Sequence, residues 1–200
     1  CDTEYDYTKE QEMVQMVAQN KVDGIIALTY NPDLKIPPDV RSVSIDRYLS
    51  GSTTCVASDN YNGGRLAAQK LVENGCKNLA FLRIGSPLTS ETNKRRDGFV
   101  AECEAMQLPC TQKILMDDAP LSEFEHFLEE NLKDGRLAFD GIFCVTDKLA
   151  VAVIKMLRRM GQRVPEDVQV IGYDGLRAFG DQDYYCSTII QPVEAMAETC

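Results

Sequence analysis

Short, continuously apolar runs alternate along this chain with segments whose apolar residues recur every three or four positions. Thr8-Lys9-Glu10-Gln11 has the form of a capping box, and Met13, Met16 and Val17 follow at helical spacing. Val22 to Leu28 reads as a strand. After Pro37-Pro38, Ser42 to Ile45 reads as another, ending on Asp46-Arg47, and Cys55 to Ala57 as a third. Helical spacing returns at Ala67, Ala68, Leu71 and Val72, with Gly75 as the stop. Leu79 to Ile84 is a predicted strand, 91–107 a helix, and Lys113 to Met116 a strand. Ser122-Glu123-Phe124-Glu125 is a second capping box, opening a helix with Phe124, Phe127, Leu128 and Leu132.

Ile142 to Val145 reads as a strand ending on Thr146-Asp147. The next helix puts Leu149, Ala150, Val153, Met156, Leu157 and Met160 on one face, and Gly161 stops it. A strand at 168–173 ends on Asp174, Ser187 to Ile190 forms the last strand, and Pro192 suits the first turn of a last helix. Apolar strands alternating with amphipathic helices imply parallel strands covered on both faces. The predicted class is α/β, with parallel sheets flanked by helices. The last helix starts about where the chain stops and the first residue is not Met, so the expectation is a fragment cut at both ends.

Composition narrows the functional classes. Apolar residues make up 44% of the chain and no apolar run reaches the roughly 18 residues of a membrane span. The segment Cys1 to Asp6 has no basic region followed by an apolar one, so it does not read as a signal peptide. The formal charge of −10, from 31 acidic and 21 basic residues, makes the chain a poor grip for phosphate backbones. Its dense basic clusters, Lys94-Arg95-Arg96 and Arg158-Arg159, read as solvated helix faces.

Eight cysteines show no Cys-x-x-Cys spacing and no nearby histidine, which argues against a zinc site. Cys55, Cys144 and Cys186 fall in apolar runs, as free thiols in a reducing cytoplasm would. His126, the only histidine, sits in an acidic amphipathic helix, and no G-x-S-x-G elbow exists, so no catalytic residues, metal or cofactor are expected. Gly63-Gly64 after Asp59 matches neither dinucleotide nor P-loop patterns and reads as capping and close packing.

The strand ends carry the candidate chemistry. Asp46, Asp147 and Asp174, with Thr146, sit where strands hand over to turns or helices. In open parallel sheets ligands bind beyond those ends. Carboxylates accept paired bonds from vicinal hydroxyls and Arg donates in a fork, so such a set suits a polyhydroxylated or heterocyclic molecule held without chemistry. Thr-Asp before a helix is also a usual N-cap.

The order of several motifs resembles the effector-binding core of LacI/GalR-type bacterial transcriptional regulators, a fold shared with periplasmic sugar-binding proteins. These are Val22-Asp23-Gly24-Ile25-Ile26, Val43-Ser44-Ile45-Asp46-Arg47 and Asp59-Asn60 with Gly63-Gly64. Leu71 to Gly75 then leads into Asn78 to Leu82, followed by Arg95-Arg96-Asp97-Gly98-Phe99, Thr146-Asp147 with Ala150, and Val164 to Asp174. The resemblance implies two Rossmann-like lobes, crossing strands between them, and an effector in the inter-lobe cleft. It assigns 1–57 to an incomplete N-terminal lobe, 58–189 to the C-terminal lobe and 190–200 to a crossover back.

Asp46, Arg95, Thr146 and Asp174 match positions that contact effector, with Arg47, Ser58 and Asp147 as weaker matches. Capping is the reading the residues favour for Asp59 and Asp147. The chain departs from the family where Gly75-Cys76 replaces the usual Gly-His. The helix-turn-helix head and the first strand and helix of the N-terminal lobe are absent from these residues.

The resemblance therefore implies a cytoplasmic, homodimeric effector sensor of a repressor. Its effector would be a sugar or sugar phosphate, or alternatively a purine, and operator DNA would be met only through the head. A free sugar-binding protein of a transport system and a doubly wound enzyme are the competing classes. Missing lobe elements would leave apolar sheet exposed, so the 200-residue chain is expected to be less stable than a complete core.

Overall fold

The computed structural model describes residues 2–3, 6–19, 22–29, 31, 33–49, 53–85, 90–177 and 183–200. The cysteine at position 1 lies outside them. The chain divides into two compact units. One comprises Cys1–Ser58, Leu88–Glu91 and Pro192–Cys200, and the other Asp59–Pro87 and Thr92–Gln191.

The first unit opens with helix α1, Tyr7–Gln19. Thr8 does not cap it: Asp6 Oδ1 accepts from the backbone N–H of Thr8 (3.0 Å) and Lys9 (3.1 Å), so Asp6 holds that place. Strands β1 (Ile25–Ala27), β2 (Ser42–Ile45) and β3 (Thr54–Val56) then form a parallel sheet in chain order. β1 is shorter than its apolar run, and Val22 and Leu28 lie exposed outside it.

The second unit carries the larger core. Helix α2 (Asn60–Glu73) ends at Gly75, whose φ of +97° a Cβ would strain, as the glycine predicted. Strand β4 (Leu79–Ile84) leads through a 3₁₀ turn, Glu91–Asn93, into helix α3 (Lys94–Ala105). The predicted 91–107 helix is thus shorter and starts on the tighter turn. Strand β5 is Cys110–Leu115 and helix α4 is Ser122–Glu130.

Ser122 makes no capping bond, because the carbonyls of Pro120 and Leu121 already take the N–H groups of Glu123 and Phe124. Leu132 lies beyond the helix. It belongs to a hairpin of β6 (Leu132–Lys133) and β7 (Arg136–Leu137), turned by Asp134 and Gly135 at φ of +50° and +75°. Strand β8 (Gly141–Cys144), helix α5 (Asp147–Arg159), β9 (Gln169–Asp174) and β10 (Ser187–Ile190) complete this unit. Helix α6 (Val193–Thr199) belongs to the first unit.

The five-stranded sheet is parallel throughout, in the order β10-β9-β8-β4-β5. All four residues of β8 are buried although successive side chains point to opposite faces, so both faces are covered. Phe81, Phe99 and Phe143 pack with ring centroids 5.1–6.0 Å apart at its centre. Because β4 lies between β8 and β5, the order in which successive strands are added reverses between β4 and β8, the point at which open sheets of this kind leave a crevice.

Candidate functional site

The carboxyl ends beside that reversal are held together by Arg95. It lies in the first turn of α3 and was expected, with its basic neighbours, on a solvated face. Instead it is 2% exposed, while Lys94 is exposed and Arg96 turns outward to Asp97. The cause is its set of acceptors. Nε donates to Asn60 Oδ1 at 2.7 Å, and Nη1 donates to the carbonyl of Val145 at 2.8 Å and to Asp174 Oδ1 at 3.2 Å. The guanidinium also stacks 3.6 Å over the Tyr173 ring. A buried charge is tolerated where, as here, it is paired and hydrogen-bonded.

Two glycines bring α2 and α3 close enough for this. A Cβ at Gly64 would collide with the carbonyl of Arg95, and one at Gly98 with the carbonyl of Tyr61. In Arg95-Arg96-Asp97-Gly98-Phe99, the first residue reaches the strand ends, Gly98 admits the neighbouring helix, and Phe99 fills the core at 0% exposure.

Asp174 closes β9 at φ +122°, a conformation that costs an L-residue on the order of 1–3 kcal/mol. The turn behind it is pinned twice. Thr188 Oγ1 accepts from Gly175 N (3.2 Å) and Asp147 Oδ2 accepts from Leu176 N (2.7 Å). Gln191 Nε2 donates to Asp174 Oδ1 at 2.8 Å. Burial pushes the Asp174 carboxyl above its ordinary value, against the pull of Arg95 and Gln191, and the nearby Asp147 adds to the rise.

Thr146 caps α5, its Oγ1 accepting from Leu149 N at 3.3 Å. Asp147 therefore does not cap. It is the first helical residue, 1% exposed, and spends its carboxylate on Leu176 N and on the Cys186 thiol, 3.6 Å away. Gly172 makes room for it, since a Cβ there would strike Asp147 Oδ1. Asp59 does cap α2 through Asn62 N, at 3.0 Å. Cys76 is 4% exposed with its thiol raised to about 11 by burial, and donates to the Asp140 carbonyl.

In the first unit Asp46 follows β2 with φ +56°, and its Oδ1 is buried without a hydrogen-bond partner among the described residues. Arg47 Nη1 donates to the Asp46 carbonyl at 3.0 Å, and Ser44 Oγ donates to the carbonyl of Arg47 at 2.6 Å. Ser58 is 6% exposed. Arg95, Asp174 and Thr146 thus gather at one sheet end of the second unit, while Asp46, Arg47 and Ser58 belong to the first.

Asn60, Tyr173 and Gln191 are polar or stacking partners of this group that the sequence reading left out. Asn60 was visible in the Asp59-Asn60 motif, whereas nothing local marked Gln191. Among the described residues, no group of three or more His, Cys, Asp and Glu is placed to hold a metal ion, and no helix is long and apolar enough to cross a membrane.

Residues 68–200 match the family described as periplasmic binding protein-like domain. The sucrose operon repressor of Pediococcus pentosaceus is 34% identical over 199 residues, covering 96% of this chain and 59% of that protein. The ribose operon repressor of Bacillus subtilis (strain 168) is 33% identical over 193 residues, covering 95% and 58% respectively. The chain thus spans about three fifths of the length of these curated relatives. A periplasmic binding protein/LacI transcriptional regulator of Alkaliphilus metalliredigens QYMF, solved with D-xylulofuranose, superposes with a TM-score of 0.79. It is 29% identical and covers 100% of this chain and 74% of that one. With two parallel α/β units, the Arg95–Asp174 pair at a strand-end reversal and these relatives, the chain belongs to the periplasmic binding protein-like domain family, as carried by LacI-type regulators.

Proposed function

We propose that this chain is the effector-sensing part of a bacterial transcriptional repressor that binds a small carbohydrate without chemical turnover. The observation that carries the reading is the buried Arg95 fastened to Asp174 at the carboxyl ends of a parallel sheet. Such a pair offers fixed donors and acceptors to hydroxyls and holds no activated nucleophile.

Asp174, Arg95 and Thr146 are the effector contacts of the second unit. Asp46 is that of the first, with Arg47, Ser58 and Asp147 in supporting places. The orphaned Asp46 Oδ1 supports its part, because a buried acceptor without a donor is costly and a ligand hydroxyl would supply one. Relatives named for sucrose and ribose operons support the carbohydrate class. The repressor named PurR from Haemophilus influenzae (strain PittEE), 27% identical over 184 residues, justifies testing purines beside sugars.

Effector binding would shift the parent protein between states of different operator affinity, which requires unequal effector affinity in those states. Operator contact would come from a helix-turn-helix head of the parent protein, acting in the cytoplasm as a homodimer. A thermal-shift screen of the full-length protein against sugars, sugar phosphates and purines tests the reading. A true effector at 100 times its dissociation constant stabilises by about 2.7 kcal/mol. Silence across the whole panel, or turnover of a bound ligand, would remove the proposal.

A further inference from the structure

The last turn of α3 and the first residue of β5 bring two thiols together. Met106 ends the helix with its N–H on the carbonyl of Glu102. Gln107 then takes φ +57°, and the N–H groups of Gln107 and Leu108 donate back to the carbonyls of Glu104 (3.0 Å) and Cys103 (2.9 Å). These two bonds make a Schellman motif, which folds the chain back over Cys103. Leu79 N donates to the carbonyl of Pro109 at 3.0 Å, and Cys110 pairs with Leu79 of β4, so the sheet register holds the second cysteine in place. The side chains of Cys103 and Cys110 hydrogen-bond to each other, thiol to thiol.

The pair is asymmetric. Cys103 is 0% exposed in the core, whereas Cys110 is half-buried. Cys103 keeps its proton and donates it, so that bond and burial both raise its thiol. Accepting the bond holds the Cys110 thiol below its ordinary value, against burial and the nearby Glu104 carboxylate. Other thiols of this unit are placed differently. Cys144 is 0% exposed and Cys76 donates to the Asp140 carbonyl. Cys186, also half-buried, is raised to about 12 by burial beside Asp147. Access, thiolate character and a second thiol in contact coincide at Cys110.

We propose that Cys103 and Cys110 are a reversible redox pair that closes to an intramolecular disulfide, with Cys110 attacking and Cys103 resolving. The oxidant is a low-molecular-weight disulfide such as glutathione disulfide. The Cys110 thiolate attacks one of its sulfurs and forms a mixed disulfide. The small S–S bond breaks, and its other half leaves as a thiolate that takes up a proton. Cys103 then gives up its proton and attacks Cys110 Sγ, so that the second half leaves as a thiol. The two cysteines lose two electrons and two protons, and the small disulfide gains both. The new bond ties the last turn of α3 to the amino end of β5, away from the strand ends that hold Arg95 and Asp174. Nothing in this chemistry depends on an effector.

The test is to reduce the full-length protein, equilibrate it with glutathione disulfide and digest it without reductant. A glutamate-specific protease cuts after Glu104, between the two cysteines, and mass spectrometry maps the products. A Cys103–Cys110 cross-link, two hydrogens lighter than its separate peptides and reversed by dithiothreitol, is the expected product. Before oxidation, iodoacetamide should alkylate Cys110 roughly tenfold or more faster than Cys186. In Cys103→Ala, Cys110 should stop at the mixed disulfide with glutathione, because no thiol is left to resolve it. A mixed disulfide that persists at Cys110 of the parent protein overturns the proposal. So does an unreactive Cys110, or a cross-link from Cys110 to any other cysteine.

Discussion

Gly98 lies against the carbonyl of Tyr61 so closely that a methyl group there would overlap it. This contact sets how near α3 comes to α2, and hence whether Arg95 reaches Asn60. Gly98→Ala must push the helices apart or distort one of them. Overpacking of this kind costs about 1–3 kcal/mol. Chemical denaturation should show that loss, and effector affinity should fall with it. A variant as stable as the parent would mean the two helices slide freely, against the packing described here.

Asn60 accepts from Arg95 Nε at 2.7 Å with both residues almost fully buried. Asn60→Ala leaves that N–H without an acceptor, at a cost of about 1–3 kcal/mol. Asn60→Asp retains an acceptor and should recover most of the lost stability. Effector affinity should follow the same order, falling in the Ala variant and recovering in the Asp variant. Equal affinities in all three proteins would show that Arg95 does not need this partner to be aimed.

The alternation of strands and helices was legible because covered parallel strands must be continuously apolar, as Ala80 to Leu82 and Ile142 to Cys144 are. Local signals failed where the helix start was held by other groups than the expected cap. Asp6 took the place expected of Thr8, and backbone carbonyls took the N–H groups expected to meet Ser122. The Asp134-Gly135 hairpin carried a readable turn signal that the apolar spacing of the preceding helix concealed. The site was half legible. Strand-end carboxylates announce themselves, but the burial of Arg95 depends on residues 35, 50 and 79 positions away, which no local pattern encodes.

Burial raises the Asp174 carboxyl above the ordinary value of about 3.9, so its titration should move to higher pH than that of an exposed aspartate. The proposed site uses the ionised oxygen for effector, which predicts that affinity falls on acidification with a midpoint above 3.9. The stability linkage runs the other way. A raised folded-state value means the contribution of Asp174 is fully present below the unfolded value and lost as pH rises through the folded one. Asp174→Asn should lack both dependences. Affinity profiles and urea midpoints across pH 3 to 7 would check this, and an affinity loss centred at or below 3.9 in the parent would contradict it.

Asp147 separates two structural roles that its sequence position confounds. As a helix cap it would be replaceable by serine, which caps equally well. As the acceptor for Leu176 N at 2.7 Å it would not, because a serine hydroxyl on the shorter side chain falls short of that N–H. The structure gives the cap to Thr146 and the turn behind Asp174 to Asp147. Asp147→Ser should thus lose about 1–3 kcal/mol, speed hydrogen exchange at Leu176, and weaken effector binding through the loosened Asp174 turn. Thr146→Ala should cost about 1 kcal/mol while leaving exchange at Leu176 unchanged. If Asp147→Ser kept the Leu176 amide protected, the anchor would lie elsewhere and the strained φ of Asp174 would need another support.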